Sequence, residues 1–554
     1  MIHNLRFHKK SFYHNINPMR TILSFIFTLI IFLFATAQET PTDYLSSEFH
    51  KERREALRKL MPKNTVAVFF ANPVRNRAND VDYIYHQDPD FYYLTGYNEP
   101  HSVLMIFSDW QTSATGERFN EIIFAQSRNP QAEMWTGRRL GPEGVEAKLG
   151  FSTVIDHQEF KDYGLEFKQF DKVLFFDFKN DIRDDVRDDA DLYDLQQQFR
   201  QKARIPANFN GMTHRMHKII KDEKMKLSQK KEALYQMTRW NPKALNDPIV
   251  KDFMEVKDNE QAMKLIAKIP NDNLDTELLD GYMDQLRETK SAEELKLLRK
   301  AVEVSCVGQV EVMKAMRPGM SESEIQGIHE FVFKKYGSEY EGYPSIVGAG
   351  QNGCILHYIE NNKPKVGNEL VLMDLGAEYH GYTADVTRTI PANGKFSEEQ
   401  AAIYNIVLEA QEAGFKECKV GNQFWAPHMA AQEVINKRLA ELGIIKAGER
   451  HSYFPHGTSH YLGLDVHDRG TGGAFKAGTV ITVEPGIYIP EGSPCDEKWW
   501  GIAVRIEDDI LITADGWENL SARAPRTVEE IERVMAMPSP LDDFVLPDLD
   551  GRKN

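Results

Sequence analysis

The 554-residue sequence predicts an α+β protein, with a larger C-terminal domain of helices and antiparallel strands preceded by a smaller α/β domain. Two observations predict this. From about residue 288 onward, capped helical segments alternate with short β-branched runs broken by Gly-containing turns. The composition, 42% hydrophobic and 27% charged, is that of an ordinary globular chain, and its length suggests about two to four domains. A third observation concerns chemistry: several acids sit inside or at the ends of apolar strands, where an unpaired carboxylate costs several kcal/mol if buried.

In chain order, Arg6, Lys9, Lys10 and Arg20 precede an apolar stretch from Ile22 to Phe34 that ends in Ala35-Thr-Ala37. This is the pattern of a secretory signal over residues 1–37, with Met19 as an alternative start. The apolar run is short for a bilayer span, so no stable membrane insertion is expected after cleavage, an uncleaved anchor being the alternative. The mature chain is expected to be exported, to a periplasm if the source is a Gram-negative bacterium. Residues 44–190 read as the smaller domain, opening with a helix from Phe49 and a strand over Thr65–Phe70. The aromatic run Phe91-Tyr-Tyr reads as core. Residues 191–287 start acidic, turn Lys-rich, and are punctuated by Pro206, Pro242 and Pro248, which predicts a mostly helical insertion. The larger domain spans 288–538. Ser291 and Glu294 form a capping box at its first helix, Arg317-Pro-Gly ends that helix, and Ser321 opens the next. Residues 539–554 read as a polar tail.

The segment Glu369 to Ile390 reads as a β-hairpin carrying Asp374 and Asp385. With Tyr379 and His380 at the bend, antiparallel pairing sets the two acids opposite each other on one face, which destabilises a sheet without a compensating cation. The stretch Pro455 to Asp468 holds His456, His460 and His467 between glycines. Histidine is the commonest neutral nitrogen ligand and the usual proton shuttle near pH 7. Glu484 and Glu507 follow, in or at the end of β-branched runs, and Arg505, two positions before Glu507, points to the same face. Asp374, Asp385, His460, Glu484 and Glu507 therefore read as a ligand set for two divalent cations. Taken singly, each residue is as well explained as a solvated strand-end acid or a satisfied histidine.

The formal charge of −16 leaves no basic surface for phosphate, so nucleic acid is excluded as a partner. Cys306, Cys354, Cys418 and Cys495 are scattered and form no C-x-x-C pair, which predicts buried free thiols.

The motifs Asn352-Gly-Cys-Ile-Leu-His357, the Asp374 to Asp385 hairpin, His456-Gly-Thr-Ser-His460 through His467-Asp468, Val483-Glu484-Pro-Gly and Arg505-Ile-Glu507-Asp resemble aminopeptidase P. That family is a group of metallopeptidases with the pita-bread (creatinase/aminopeptidase-like) fold, preceded by a creatinase-like N-terminal domain. The resemblance implies a C-terminal dimetal peptidase domain and hydrolysis of the N-terminal residue from peptides with proline second, by a hydroxide held between two metals. The alternatives are an Xaa-Pro dipeptidase (prolidase) and a pita-bread protein that binds peptide without cutting it. It further implies Asp385 and Glu507 bridging the metals, Asp374 on one, and His460 and Glu484 on the other. Carboxylates with one imidazole and no thiolate suit Mn²⁺ first, with Co²⁺ or Zn²⁺ also held. Glu484 would manage the water proton, His456 and His467 would bond the substrate carbonyl, and His357 would assist the leaving nitrogen. Arg505 and Tyr488 would support the ligands and wall a proline pocket. The family also implies a homo-oligomer, in which Asp80 reaches substrate across a subunit boundary.

Overall fold

The computed structural model describes residues 41–546, apart from 114, 187 and 545. The segment read as a secretory signal, 1–37, lies outside the described residues, as do residues 547–554 of the tail. The chain from Leu45 onward is one compact unit. It begins with α1 (Ser47–Leu60), whose N-terminus is capped by the Ser46 hydroxyl accepting from Phe49 N–H and whose last turn carries Arg58 and Lys59 against the helix dipole.

The apolar run after it forms β1 (Thr65–Phe70), a central strand of a six-stranded sheet. The sheet also contains β4 (Val103–Thr112), β5 (Arg118–Ala125), β6 (Val154–Asp156), β7 (Lys172–Phe175) and β8 (Leu274–Asp275), in the order β6-β5-β4-β1-β7-β8. A small hairpin, β2 (Asn76–Ala78) with β3 (Val81–Asp82), and three short helices, α2 (Pro89–Thr95), α3 (Pro130–Thr136) and α4 (Gly141–Leu149), complete this lobe. Strand β1 is buried almost throughout because both faces are covered. Val66 and Val68 point into an aromatic core with Phe107, Phe124, Phe175 and Phe199. Ala67 and Phe69 point the other way, toward Phe91, Tyr93 and Tyr97, which pack in turn on Leu298 and Val302 of the second lobe. Burying side chains of this size stabilises by about 1.5–3 kcal/mol each, so the two lobes share a core and are not merely tethered.

Between them run α5 (Leu192–Lys202), α6 (Gly211–Lys221), α7 (Leu227–Trp240), α8 (Pro248–Glu255), α9 (Asn259–Ile266) and α10 (Leu278–Arg287). Met216, Ile220, Leu234, Val250 and Phe253 give this helical segment a small core of its own. Strand β8 returns the chain to the first sheet, parallel to β7.

The second lobe opens with α11 (Ala292–Ala315), started by the Ser291–Glu294 capping box, and α12 (Glu322–Lys335), capped by Ser321. Then come β9 (Tyr340–Glu341), β10 (Ile346–Ala349), β11 (Leu370–Leu375), β12 (Ala377–Tyr379), β13 (Tyr382–Thr383) and β14 (Val386–Pro391). Helices α13 (Glu398–Glu417) and α14 (Ala426–Glu441) follow, then β15 (Val480–Val483), β16 (Gly486–Ile489), β17 (Ile502–Arg505), β18 (Asp508–Thr513), β19 (Gly516–Asn519) and α15 (Val528–Met535). The strands form small antiparallel sheets, among them β10-β11-β14, β15-β18-β19 and β16-β17. Helices α11 to α15 pack against them around one large core that includes Val312, Ile403, Ile435, Val371 and Val504.

The hairpin differs from the sequence reading in its register. His380 and Gly381, with φ of 48° and 89°, make a two-residue turn one position later than expected, so Tyr379 pairs with Tyr382 and Asp374 with Thr387. A turn with positive φ at both central residues matches the twist of the strands, and Gly381 supplies it without a Cβ penalty. His380 is held in the same region by two bonds to Glu339, from its N–H at 3.0 Å and at its Nδ1 at 2.6 Å. The pairing slides by two residues, which preserves the faces, so Asp374 and Asp385 remain diagonal neighbours on one side. Gly376 makes that approach possible, since a Cβ there would lie 2.0 Å from the Ala384 carbonyl oxygen.

Candidate metal centre

Five segments deliver the predicted donors to one pocket. Asp374 lies in β11, Asp385 immediately before β14, His460 in the loop ahead of β15, Glu484 just after β15 and Glu507 between β17 and β18. Asp385, His460 and Glu507 each offer a ligand atom within 4.8 Å of the others. The His460 Nε2 is 3.4 Å from Asp385 and 3.6 Å from Glu484. Its other ring nitrogen, Nδ1, lies 3.0 Å from the Tyr461 carbonyl oxygen, which fixes the tautomer with the proton on Nδ1 and leaves Nε2 as a free donor pair.

Asp374 faces Arg505, with which it makes a close ion pair, and Arg505 also donates to the Tyr488 hydroxyl at 3.0 Å and to Thr387 Oγ1 at 3.2 Å. Thr387 in turn donates to Glu507 at 2.5 Å. Arg505 and Glu507 thus meet through a threonine on the same face, as their spacing of two implies.

The charge balance is lopsided. Burial, then the neighbouring Asp385, Glu484 and Asp374, hold the Glu507 carboxyl well above the usual range. Burial, then Asp374 and Asp509, do the same to Asp385. Glu484 is raised by burial against the opposing pull of His460 and Arg505. Asp374 goes the other way: burial raises it, but Arg505 and the Tyr343 hydroxyl outweigh that and keep it low. One guanidinium therefore compensates one carboxylate, and the others are left with a deficit of positive charge that two divalent cations would fill.

The histidines occupy different depths. His456 Nε2 is 2.8 Å from the Tyr488 hydroxyl and its Nδ1 is 3.7 Å from Glu484. Burial and the Arg505 charge push its pKa down to about 4, so it is a neutral imidazole at pH 7. His467 and His357 are exposed, on the solvent side of the pocket. The His467 ring stands edge-on to that of His460, with centroids 4.4 Å apart, and partial burial and then His460 lower its pKa. Asp80 is not brought to these residues: it sits exposed in the turn of the β2–β3 hairpin.

Three contributors were missed from sequence. The Tyr343 hydroxyl lies 2.5 Å from Asp374 and 2.6 Å from Asp385, joining the two acids of the hairpin. Thr387 links Arg505 to Glu507. Asp509 accepts the Asp385 N–H at 3.2 Å, and its other oxygen has no hydrogen-bond partner among the described residues. Asp509 carried the same signal as Glu484, an acid in a β-branched run; Tyr343, remote in sequence and next to a proline, carried none.

Comparison with known proteins places the chain in a family. Residues 50–173 match the aminopeptidase P N-terminal domain and residues 296–514 match metallopeptidase family M24. The Xaa-Pro aminopeptidase of Escherichia coli is 33% identical over 504 residues, spanning 89% of this chain and 98% of that one. The chain belongs to the aminopeptidase P family. Its two lobes are the N-terminal domain of that family and the M24 pita-bread domain. Among solved structures, an aminopeptidase of Pseudomonas aeruginosa superposes with a TM-score of 0.70 at 31% identity, and E. coli aminopeptidase P with the inhibitor Pro-Leu with 0.69 at 31%. Each covers 89% of this chain and 98% of the other. The helical segment between the lobes, 192–287, lies wholly outside both matched ranges.

Proposed function

We propose that this aminopeptidase P family member is an Xaa-Pro aminopeptidase that releases the N-terminal residue from peptides with proline at the second position. The observation that carries the reading is the convergence of Asp374, Asp385, His460, Glu484 and Glu507 from separate strands into a buried pocket short of positive charge. The residues fit two divalent cations: oxygen donors predominate, the one imidazole is in the ligating tautomer, and no thiol takes part. Mn²⁺ is the proposed pair, with Co²⁺ or Zn²⁺ as substitutes. Asp374, Asp385, His460, Glu484 and Glu507 would hold them. Bound there, the cations supply Lewis acidity toward the scissile carbonyl and lower the pKa of a water to near neutrality.

The chain's own side chains then handle orientation and protons. Glu484 takes a proton from the attacking water. His456, kept neutral, donates from Nδ1 to the Gly457 carbonyl at 2.8 Å and accepts at Nε2 from the Tyr488 hydroxyl, so it positions Tyr488, and His467 at the mouth of the pocket bonds the oxygen on which charge develops. The peptide C–N bond breaks and the prolyl nitrogen receives the proton, with His357 on the solvent side as its carrier. Tyr488 and the histidine side chains wall the pocket for the proline ring, and Arg505 supports it by donating to the Tyr488 hydroxyl and pairing with Asp374.

Two further parts of the reading rest on the sequence alone. Residues 1–37 direct export, and the enzyme works as a homo-oligomer in which Asp80 reaches a neighbouring site. No helix among the described residues is long and apolar enough to cross a membrane. Unchanged activity of Asp80→Ala on longer peptides would remove that residue from the account.

The test is hydrolysis of Arg-Pro-Pro and of Ala-Pro by the manganese-loaded protein, with Glu507→Ala as control. Cleavage of the tripeptide that disappears in the control supports the proposal. Cleavage of the dipeptide alone makes the protein a prolidase. No cleavage with metal bound leaves a peptide-binding protein.

A further inference from the structure

A second cluster of buried charge lies outside the pocket, where the two lobes meet. Asp90, in α2 of the first lobe, pairs at 2.6 Å with Arg287, the last residue of α10, and at 2.9 Å with Arg469. Arg287 makes a close ion pair with Asp468, and Lys290 reaches the other oxygen of Asp468 at 2.9 Å. Lys290 also donates to the Arg287 carbonyl at 2.8 Å, and the outer side of Arg469 meets Asp280 and Asp284 at 3.1 and 3.2 Å. The side chains of Asp90, Arg287, Lys290 and Asp468 are 7%, 3%, 1% and 1% exposed, so water does little to screen them.

Asp468 directly follows His467. Its N–H bonds the Tyr461 carbonyl at 3.0 Å, closing the loop that leaves His460 and returns at His467. Its carboxylate lies over Gly463, where a Cβ would come within 2.1 Å of Oδ2. The loop is thus pinned at its far end by one buried carboxylate, and of the two cations on that carboxylate Arg287 is oriented by Asp90 from the other lobe, while Asp90 also holds Arg469, the residue after Asp468.

We propose that Asp90 is a positioning residue for His467, acting through Arg287 and Arg469 on the Asp468 anchor. The inference rests on the proposed peptidase activity for its kinetic part. It assigns to the N-terminal lobe a share in arranging the reaction centre that no contact with substrate requires. Asn is the appropriate replacement, because it retains the shape of Asp90 and one of its two acceptor oxygens while removing the charge shared by the two arginines.

Wild type, Asp90→Asn, His467→Ala and the double variant are loaded with Mn²⁺, their metal content is measured, and kcat and KM for Arg-Pro-Pro are determined. Hydrogen exchange of residues 461–468 is followed in parallel. Asp90→Asn is expected to lose about 10- to 100-fold in kcat at unchanged metal content and similar KM, the effect of displacing a reacting group by about 1 Å. Exchange in 461–468 is expected to speed up. In the His467→Ala background the same substitution should cost about twofold or less, because the residue it positions has gone. An equal loss in both backgrounds, or exchange unchanged from wild type, would overturn the proposal. If wild type does not cleave the peptide, the peptidase reading fails and the exchange result alone decides this one. Should Asp90→Asn not fold, Arg469→Gln loosens the same carboxylate from its outer side and is judged by the same outcomes.

Discussion

Removing one negative charge from the pocket should stabilise the metal-free protein while abolishing its activity. The variant is Glu507→Gln, close in shape and still able to accept the 2.5 Å bond from Thr387. In the folded, metal-free chain, burial and then Asp385, Glu484 and Asp374 raise the Glu507 pKa well above the usual carboxylate range. A raised acid contributes stability that is fully present below its unfolded pKa and is lost as pH rises toward the folded one. Each pH unit over which the folded protein retains that proton while the unfolded chain gives it up costs about 1.4 kcal/mol. Two such units amount to about 3 kcal/mol, from which the weaker bond of Thr387 to an amide removes about 1 kcal/mol. Glutamine has no such proton to retain. In EDTA, urea unfolding should therefore show the variant gaining on wild type as pH rises, from about 1 kcal/mol less stable near pH 4.5 to as much as about 2 kcal/mol more stable at pH 7. Excess Mn²⁺ should reverse the order, since a ligand at about 100 times its Kd adds about 2.7 kcal/mol to the protein that binds it. A metal-free variant no more stable than wild type at pH 7 and 8 would refute the idea that these carboxylates strain the empty pocket.

Metal loading should release protons, because Asp385, Glu484 and Glu507 must ionise to bind; calorimetry at pH 6.5 in two buffers of different ionisation enthalpy would show it, with affinity weakening as pH falls. Tyr343→Phe removes the hydroxyl shared by Asp374 and Asp385, and should weaken metal binding by about 10- to 100-fold, measured by competition with a chelating dye. His456→Ala should lower kcat by about 10- to 100-fold with metal content unchanged, as expected for loss of a group that orients Tyr488.

The donor set was legible in sequence because each member carries a local anomaly: an acid among β-branched residues, or histidines crowded between glycines. The face shared by Asp374 and Asp385 was legible too, although the turn was placed one residue early, because a slide of two residues in pairing does not change which side an acid points to. What could not be read is whatever closes over long distances. Tyr343 meets Asp374 across 31 positions and Arg287 meets Asp90 across 197, and no periodicity links such residues. Their pairing is set by how helices and sheets dock. The helical stretch 192–287 was visible as helix from its composition, but the return of β8 to the first sheet was not, since two residues make too short a strand to leave a pattern.

The order of the donors along the chain has a consequence for synthesis. Asp374, Asp385, His460 and Glu484 all leave the ribosome before Glu507, and β11, β14, β15 and β17 must pack together before the five can face one another. A growing chain therefore passes from inert to competent in a single late step, and a product cut short before Glu507 has acids without the geometry to use them. Proteolytic capacity is withheld from the unfinished polypeptide by the layout of the fold itself.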